Sequence, residues 1–288
     1  MKSPTASESD RSVISPPRST RERVAAWLLR VGSKWFADQG LPLSASARTL
    51  VFAPHPDDEV LGCGGTIALK VMAGAPVQVV IMTDGRASHA RFVDAATLIQ
   101  MRRAEAIEAS KGLGLDPSDY VFLDFEDNRL REHAAQAQQR VADILRGFEP
   151  EQVFVPHRRD RLPDHVATFE IVASAVRAHD KPVTLLEYPV WLWNSWPWSA
   201  NLPRGRSVLS GVPMLFRDGA ELAIGCNTRI DIRPVLQRKL DALAQYRSQV
   251  QRQQDDPRWP ILSDVSGGSF LECFRAGVEV FRRTEHLV

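Results

Sequence analysis

The sequence predicts an α/β fold: a Rossmann-like, mostly parallel sheet with helices on both of its faces. Apolar runs of strand length recur along the chain, and each of the first four is followed by a segment of helical length. Continuous apolar strands that alternate with helices are typical of a parallel sheet covered on both faces. We place these strands at 48–54, 76–83, 120–125, 152–156 and 182–193.

The helices that separate the strands are expected at 59–73, 94–113, 131–147 and 164–178. Beyond residue 194 the pattern weakens. A loop rich in Trp and Pro precedes an expected strand at 221–232 and an expected helix at 233–249. We therefore assign 45–288 to one domain with elaborated C-terminal loops.

The N-terminal segment differs from the rest in composition. Residues 1–20 are rich in Ser, Pro and charged residues, so we expect a disordered tail there. Residues 21–44 contain an expected N-terminal helix, because apolar residues recur at helical spacing over 21–38. We expect this helix to pack on the domain, and the alternative is peripheral contact with a membrane surface or a partner. No apolar region typical of a secretory signal is present in the first 20 residues.

Composition excludes several classes of protein. The 36 basic and 35 acidic residues give a net charge of +1, which offers no electrostatic basis for binding nucleic acid. No apolar run is long enough for a transmembrane helix. The three cysteines, Cys63, Cys226 and Cys273, lack CxxC spacing. Such a sparse, odd set argues against a disulfide framework and suits a reducing compartment, so we expect a cytoplasmic protein.

Two polar segments lie at the carboxyl ends of predicted strands, where ligands bind in open parallel sheets. PHPDDE at 54–59 follows the first strand, and HRRDRLPDH at 157–165 follows the fourth. These strands are often neighbours in doubly wound sheets, so we expect the two segments to converge. Two imidazoles, one carboxylate and an open position for water form the set that zinc favours at hydrolytic sites. Iron, cobalt and nickel accept such a set too.

Each segment has a simpler interpretation when taken alone. A single histidine is often structural, and an acidic run before a helix often serves as an N-cap that interacts with the helix dipole. The presence of both segments at strand ends favours a metal site. The adjacent Asp57 and Asp58 suit a division of roles, because neighbouring side chains diverge. One carboxylate can bind a metal while the other accepts a proton from water.

The segment PHPDDEVLGCGG at 54–65 closely resembles the first motif of the PIG-L/LmbE-like deacetylases. The resemblance continues at Arg102 and Glu105 in the second helix, and at Pro163-Asp164-His165. It extends to a late helix with Lys239, Tyr246 and Gln249, and so covers about 48–250. The combination of HPDDE with a distant PDH is far more specific than a glycine pattern.

The resemblance implies a zinc-dependent N-deacetylase that removes an acetyl group from an N-acetylated amino sugar or sugar conjugate. It implies that His55, Asp58 and His165 are the metal ligands. Asp57 corresponds to the general base of the family. Asp164 corresponds to a carboxylate that orients a neighbouring histidine.

The substrate-binding residues implied by the resemblance are Arg102 and Asp127. One position departs from the family pattern, since Leu162 stands where members usually have a histidine that stabilises the oxyanion or protonates the leaving amine. Leucine can do neither. We expect His157 to take this role, because an imidazolium can both donate to an oxyanion and protonate an amine. An arginine at 158–161, or the metal alone, is the alternative.

Other interpretations of the sequence remain open. The segment LGCGG at 61–65 superficially resembles the glycine loop of a methyltransferase or nucleotide-binding Rossmann enzyme. These glycines fall inside a predicted helix, however, where close packing on the sheet explains them better. The leucine at position 162 is also compatible with a non-catalytic relative of the family.

Aromatic residues cluster after the fifth strand, and four histidines stand apart from any motif. The aromatic cluster after the fifth strand is either core or a platform for a sugar or lipid; it comprises Tyr188, Trp191, Trp193, Trp196 and Trp198. Four histidines without a partner pattern are expected at the surface: His89, His133, His179 and His286.

Overall fold

The computed structural model describes residues 44–195 and 217–286. The predicted tail at 1–20 and the predicted helix over 21–38 lie outside these ranges, as do Trp196 and Trp198. Among the described residues, no helix is long and apolar enough to cross a membrane. The three cysteines are buried and free, in agreement with the absence of a disulfide framework.

Seven strands within the described residues form one sheet, ordered β3-β2-β1-β4-β5-β7-β6. The first five run parallel, which confirms the predicted fold class. β7 lies antiparallel between β5 and β6. The strands are β1 Thr49–Ala53, β2 Val77–Thr83, β3 Tyr120–Phe125, β4 Gln152–Pro156, β5 Val183–Tyr188, β6 Thr228–Asp231 and β7 Val278–His286.

Helices cover both faces of the sheet, because alternate strand residues point to opposite sides. Val51 and Ile81 pack in one buried cluster with α1, α2 and α5, and Leu50 and Val80 pack in the other with α3 and α4. The α-helices that lie wholly within the described residues are α1 Asp58–Met72, α2 Ala95–Leu113, α3 Ala134–Phe148, α4 Pro163–Arg177, α5 Leu236–Gln245, α6 Arg247–Val250 and α7 Ser269–Cys273.

The C-terminal third differs from the sequence prediction. The strand expected at 221–232 is a π-helical turn, Glu221–Gly225, followed by the shorter β6. The helix expected at 233–249 is broken at Tyr246, whose ψ of 58° is not helical. β7 was not predicted, because its sequence VEVFRRTEH has no continuous apolar run. Periodicity alone does not separate strand from helix in short apolar runs such as ELAIG.

The sheet topology brings the two polar segments together. β1 pairs directly with β4, with Thr49 opposite Gln152 and Val51 opposite Phe154. The strand order reverses between β1 and β4, which creates the crevice in which ligands of doubly wound sheets bind. The loop from β1 to α1 and the loop from β4 to α4 therefore meet at this crevice.

Candidate metal centre

Three side chains from these two loops converge as predicted. Asp58 Oδ2 lies 3.2 Å from His55 Nδ1 and 3.2 Å from His165 Nε2. The ligand atoms of the three residues all lie within 4.8 Å of one another. Asp58 and His165 are buried, whereas His55 is partly open to solvent. The structure thus brings together a nitrogen and oxygen set suited to one divalent cation.

On its other ring nitrogen, His55 contacts two further carboxylates. Its Nε2 lies 3.2 Å from Asp127 Oδ1 and 3.3 Å from Asp164 Oδ2. Asp164 is itself held by the backbone N–H groups of Asn128 and Leu130, at 2.6 and 3.2 Å. The histidine that Asp164 contacts is therefore His55. This arrangement lets Asp164 orient the ring whose Nδ1 faces Asp58.

Asp160 fixes the orientation of His165, a contact that the sequence did not reveal. His165 Nδ1 lies 2.9 Å from Asp160 Oδ2, which leaves Nε2 directed at Asp58. That Nε2 is buried and lies 3.2 Å from Asp58 Oδ2. An imidazole that a carboxylate orients through one nitrogen, with the other nitrogen directed at the ligand site, is the usual form of a metal-binding histidine. The residues present therefore fit a metal ion.

Electrostatics at the centre favour positive charge. Burial opposes ionisation of Asp58, yet the adjacent His165 and His55 hold its pKa well below the usual value. Burial would lower the pKa of His165, but Asp58 and Asp160 raise it to about 9. The pKa of His55 is also well above its usual value: burial opposes this shift, and the three carboxylates that face the ring cause it. These carboxylates would stabilise a bound cation in the same way.

Asp57 immediately precedes α1 and has an unusual backbone. Its φ of 116° lies in a region that residues other than glycine rarely adopt. Its carboxylate is buried, and Arg102 Nη2 lies 3.5 Å from its Oδ2. Burial raises the pKa of Asp57 to about 7, although the Arg102 guanidinium opposes the shift. A carboxylate that titrates near neutral pH suits general acid and base chemistry.

Glu59 holds this backbone conformation in place. Its carboxylate accepts the N–H of Asp57 at 3.1 Å. It also accepts the hydroxyls of Tyr246 and Tyr120, the latter at 3.2 Å. Both tyrosines lie far from Glu59 along the chain, so the sequence did not predict these contacts. The place of Glu59 in HPDDE was the one sign in the sequence that it belongs to the site.

Arg102 and Asp127, expected to contact substrate, both reach the edge of the centre. Arg102 extends from α2, is buried, and donates to the C=O of Pro56. Its Nε and Nη1 have no hydrogen-bond partner among the residues described. Asp127 contacts His55 and accepts the N–H of Ala87 at 3.0 Å.

His157 is placed differently. Its side chain is fully buried, its Nδ1 accepts the N–H of Arg159 at 3.1 Å, and its Nε2 lies 3.3 Å from Glu221 Oε1. Burial lowers its pKa. The structure does not bring it into contact with the three candidate ligands. Leu162 precedes α4 and is half-buried.

Two of the four histidines expected at the surface lie in the interior. His89 and His179 are buried, so their assignment to the surface is wrong. His89 stacks on Trp259 with ring centroids 4.2 Å apart, a partner that lies 170 residues away in sequence. Tyr188 and Trp193 are buried and belong to the core.

The glycines of LGCGG lie inside α1. A Cβ at Gly62 would lie 2.1 Å from the ring of Tyr188, and one at Gly65 would lie 2.7 Å from Ile232. Close packing thus accounts for both positions. The glycine loop of a nucleotide-binding enzyme would follow a strand directly, whereas these glycines do not.

Residues 50–176 match the protein family described as PIG-L, GlcNAc-PI de-N-acetylase. The chain is also similar to YaiS, an uncharacterized deacetylase of Escherichia coli K12. The two are 28% identical over 164 residues, which cover 52% of this chain and 84% of the relative. This chain is also 27% identical to a probable N-acetyl-alpha-D-glucosaminyl L-malate deacetylase 2 of Bacillus cereus. That match spans 213 residues, 72% of this chain and 86% of the relative.

The fold is similar to that of a solved structure, the N,N'-diacetylchitobiose deacetylase of Pyrococcus horikoshii. The two share 21% sequence identity with a TM-score of 0.63. The match covers 93% of this chain and 94% of that one. It extends beyond residues 50–176 and shows that the architecture as a whole occurs in a known enzyme.

Proposed function

We propose that the chain is a metal-dependent N-deacetylase, which the match of residues 50–176 to the PIG-L family supports. The reaction is hydrolysis of the acetamide of an N-acetylated amino sugar or a sugar conjugate. The observation that carries the proposal is the convergence of His55, Asp58 and His165 inside the matched segment. Asp57 directly precedes Asp58 in the loop that carries His55.

His55, Asp58 and His165 would hold the ion, which we propose to be zinc. When bound, such an ion lowers the pKa of a coordinated water to about 7 and polarises a carbonyl oxygen. Asp58 supplies a carboxylate that stays ionised beside two imidazoles. Asp160 and Asp164 keep the two rings in place through the contacts described above.

Asp57 is the proposed general base. Its carboxylate accepts a proton from the attacking water as the water oxygen bonds to the acetamide carbonyl carbon. The carbon–nitrogen bond then breaks, and Asp57 can return the proton to the leaving amine, so that acetate and a free amine result. A pKa of about 7 suits both transfers, because neither protonation state is strongly favoured at neutral pH.

Arg102 and Asp127 are proposed to bind the polar part of the substrate. The Nε and Nη1 groups of Arg102 can donate to oxygen atoms, and the carboxylate of Asp127 can accept from hydroxyl groups. A sugar offers both kinds of partner. The family description and the Bacillus cereus relative both name N-acetylglucosamine compounds, which supports the choice of an amino sugar as substrate.

A role for His157 at the oxyanion or the leaving amine remains a prediction. It requires the contacts of His157 with Glu221 and with the Arg159 N–H to open. A His157→Ala variant with intact metal and a rate about 100- to 1000-fold lower would establish the role, and Leu162→His in that background should recover part of the loss. A rate within threefold of the unmodified protein would leave the oxyanion to the ion alone or to an arginine at 158–161.

The decisive experiment measures acetate release from a panel of N-acetylated sugars and sugar conjugates. The same protein preparation is tested as purified, after chelation and after zinc is restored. We expect release that is lost on chelation and recovered with zinc. Stoichiometric zinc without turnover of any panel member would indicate a non-catalytic relative. Absence of bound metal would favour the nucleotide-binding alternative and contradict the proposal.

A further inference from the structure

Helix α1 is interrupted one turn after it begins. Cys63 has non-helical backbone angles, with φ −145° and ψ 18°. The turn that carries Asp58 is therefore separated from the helix body at 64–72. Helices change direction where a side chain enters the ladder of i to i−4 hydrogen bonds. Here two side chains reach the ladder, Lys239 from α5 and Glu279 from β7.

These two side chains bind backbone groups on both sides of the break. In a continuous helix the N–H of Gly65 would donate to the C=O of Leu61. In α1 the Gly65 N–H donates to Glu279 Oε1 at 2.8 Å, and the Leu61 C=O accepts from Lys239 Nζ at 2.9 Å. Lys239 Nζ also donates to Glu279 Oε1 at 2.7 Å. Thr66 donates two further hydrogen bonds to Glu279 Oε2, from its N–H at 2.8 Å and from its hydroxyl at 2.6 Å.

The ion pair is shielded from water. Lys239 is 1% exposed and Glu279 is 4% exposed. Removing two charges from water is costly, and apolar residues of similar volume are often at least as stabilising. Stability alone therefore explains the pair poorly. Its position offers another explanation, because each charge compensates a backbone group at the break in α1.

The glycines next to the break make the approach possible. A Cβ at Gly64 would lie 3.3 Å from Lys239 Cγ, tighter than an ordinary contact. At Gly62 and Gly65 the clashes would be with Tyr188 and Ile232. LGCGG thus lets neighbouring elements come close to the backbone of α1.

We propose that Lys239 and Glu279 are positioning residues that set the direction of the first turn of α1. Through that turn they fix Asp58 opposite His165. Without the pair, the N–H and C=O groups at the break would favour a continuous helix, and the first turn would swing away from its present direction. This inference rests on the proposed function insofar as Asp58 is taken as a metal ligand.

The main test replaces the pair with apolar residues, in Lys239→Met/Glu279→Leu. The double change avoids leaving one charge buried without its partner. Lys70→Met is the matched control, since Lys70 is also buried, lies in the last turn of α1, and donates to the C=O of Ser44 at 3.0 Å. Zinc affinity is measured by competition with a chromogenic chelator, and ligand geometry by the absorption spectrum of bound Co²⁺.

We expect the double variant to melt cooperatively but to bind zinc at least tenfold more weakly, with an altered Co²⁺ spectrum. Lys70→Met should match the unmodified protein in both readouts. Unchanged zinc affinity and an unchanged spectrum in a folded double variant would overturn the proposal, whatever happens to the melting temperature. If the double variant does not fold, Thr66→Val decides, since it removes only one donor to Glu279. We expect at least a threefold loss of zinc affinity, and no loss would overturn the proposal.

Hydrogen exchange of the metal-free protein separates this proposal from the proposed function. We expect the amides of 61–66 to change their exchange rates at least tenfold in the double variant and not in Lys70→Met. If the unmodified protein binds no zinc, the proposed function fails and this measurement alone decides whether the pair sets the backbone at the break. Unchanged exchange would then overturn the inference.

Discussion

The carboxylate of Glu59 accepts the backbone N–H of Asp57, the residue with φ of 116°, at 3.1 Å. A residue other than glycine in such a conformation costs about 1–3 kcal/mol and persists only where its surroundings hold it. Glu59 is in turn bound by Tyr246 and Tyr120. The proposed base is therefore held by a carboxylate that two tyrosines fix in the core.

Tyr246→Phe should weaken this arrangement without touching the metal ligands. Loss of a buried hydrogen bond to a carboxylate costs about 1.5–3 kcal/mol, so the melting temperature should fall. We also expect a lower kcat with unchanged metal content, because Asp57 becomes less well held. Tyr120→Phe is the comparison, since its longer bond to the same oxygen should matter less. Equal kcat in Tyr246→Phe and the unmodified protein would show that Asp57 does not depend on this contact.

Asp57→Asn should retain the metal and lose most of its turnover. The amide is nearly isosteric with the carboxylate but does not accept a proton from water. General-base losses are typically about 100- to 10000-fold. Metal content by elemental analysis and acetate release check the two halves of this prediction. Near-normal turnover would transfer the role to Asp160, Asp164 or Glu59.

Asp160→Asn should lower metal affinity about 10- to 100-fold, as is typical when a carboxylate partner of a ligating histidine is changed. Asp160 binds His165 on one side and the N–H of Leu192 on the other, at 2.9 and 2.8 Å. Asp218→Asn is the control. Asp218 binds Arg161, the residue that follows Asp160 in the same loop, but it does not contact His165. Equal zinc dissociation constants for the two variants would contradict the assignment.

His89 predicts a pH dependence of stability. Burial lowers its pKa in the folded protein, so the folded state binds fewer protons than the unfolded state, where the pKa is about 6.5. The associated stability is present above about pH 6.5 and is lost as the pH falls through the lower pKa of the folded state. His89→Phe keeps the contact with Trp259 but does not titrate. The melting temperature of the unmodified protein, relative to this variant, should fall between pH 7.5 and 5.5. A constant difference would refute the interpretation.

The parallel half of the fold could be predicted because its strands are buried on both faces and are therefore continuous apolar runs. β7 lies between β5 and β6, but its sequence VEVFRRTEH is largely polar, so it left no such run. The ligands could be located because each directly follows a strand or begins a helix. Asp160 lies only five residues before His165, but no periodic pattern shows which loop carboxylate faces that ring. Glu59 and Lys239 could not be assigned roles, because the tyrosines that bind Glu59 and the carboxylate that binds Lys239 lie far away in sequence. The burial of His89 depends in the same way on Trp259.

The position of β7 late in the sequence has a consequence for the folding of the protein during its synthesis. The three candidate ligands all occur within the first 165 residues of the chain, and β1 to β5 precede residue 189. Glu279, which binds the backbone of α1, is synthesised more than a hundred residues later. A ribosome that has released every ligand from its exit tunnel has not yet supplied the strand that completes the support of Asp58. Metal uptake by this protein should accordingly be a late event, one that follows the addition of β7 to the sheet.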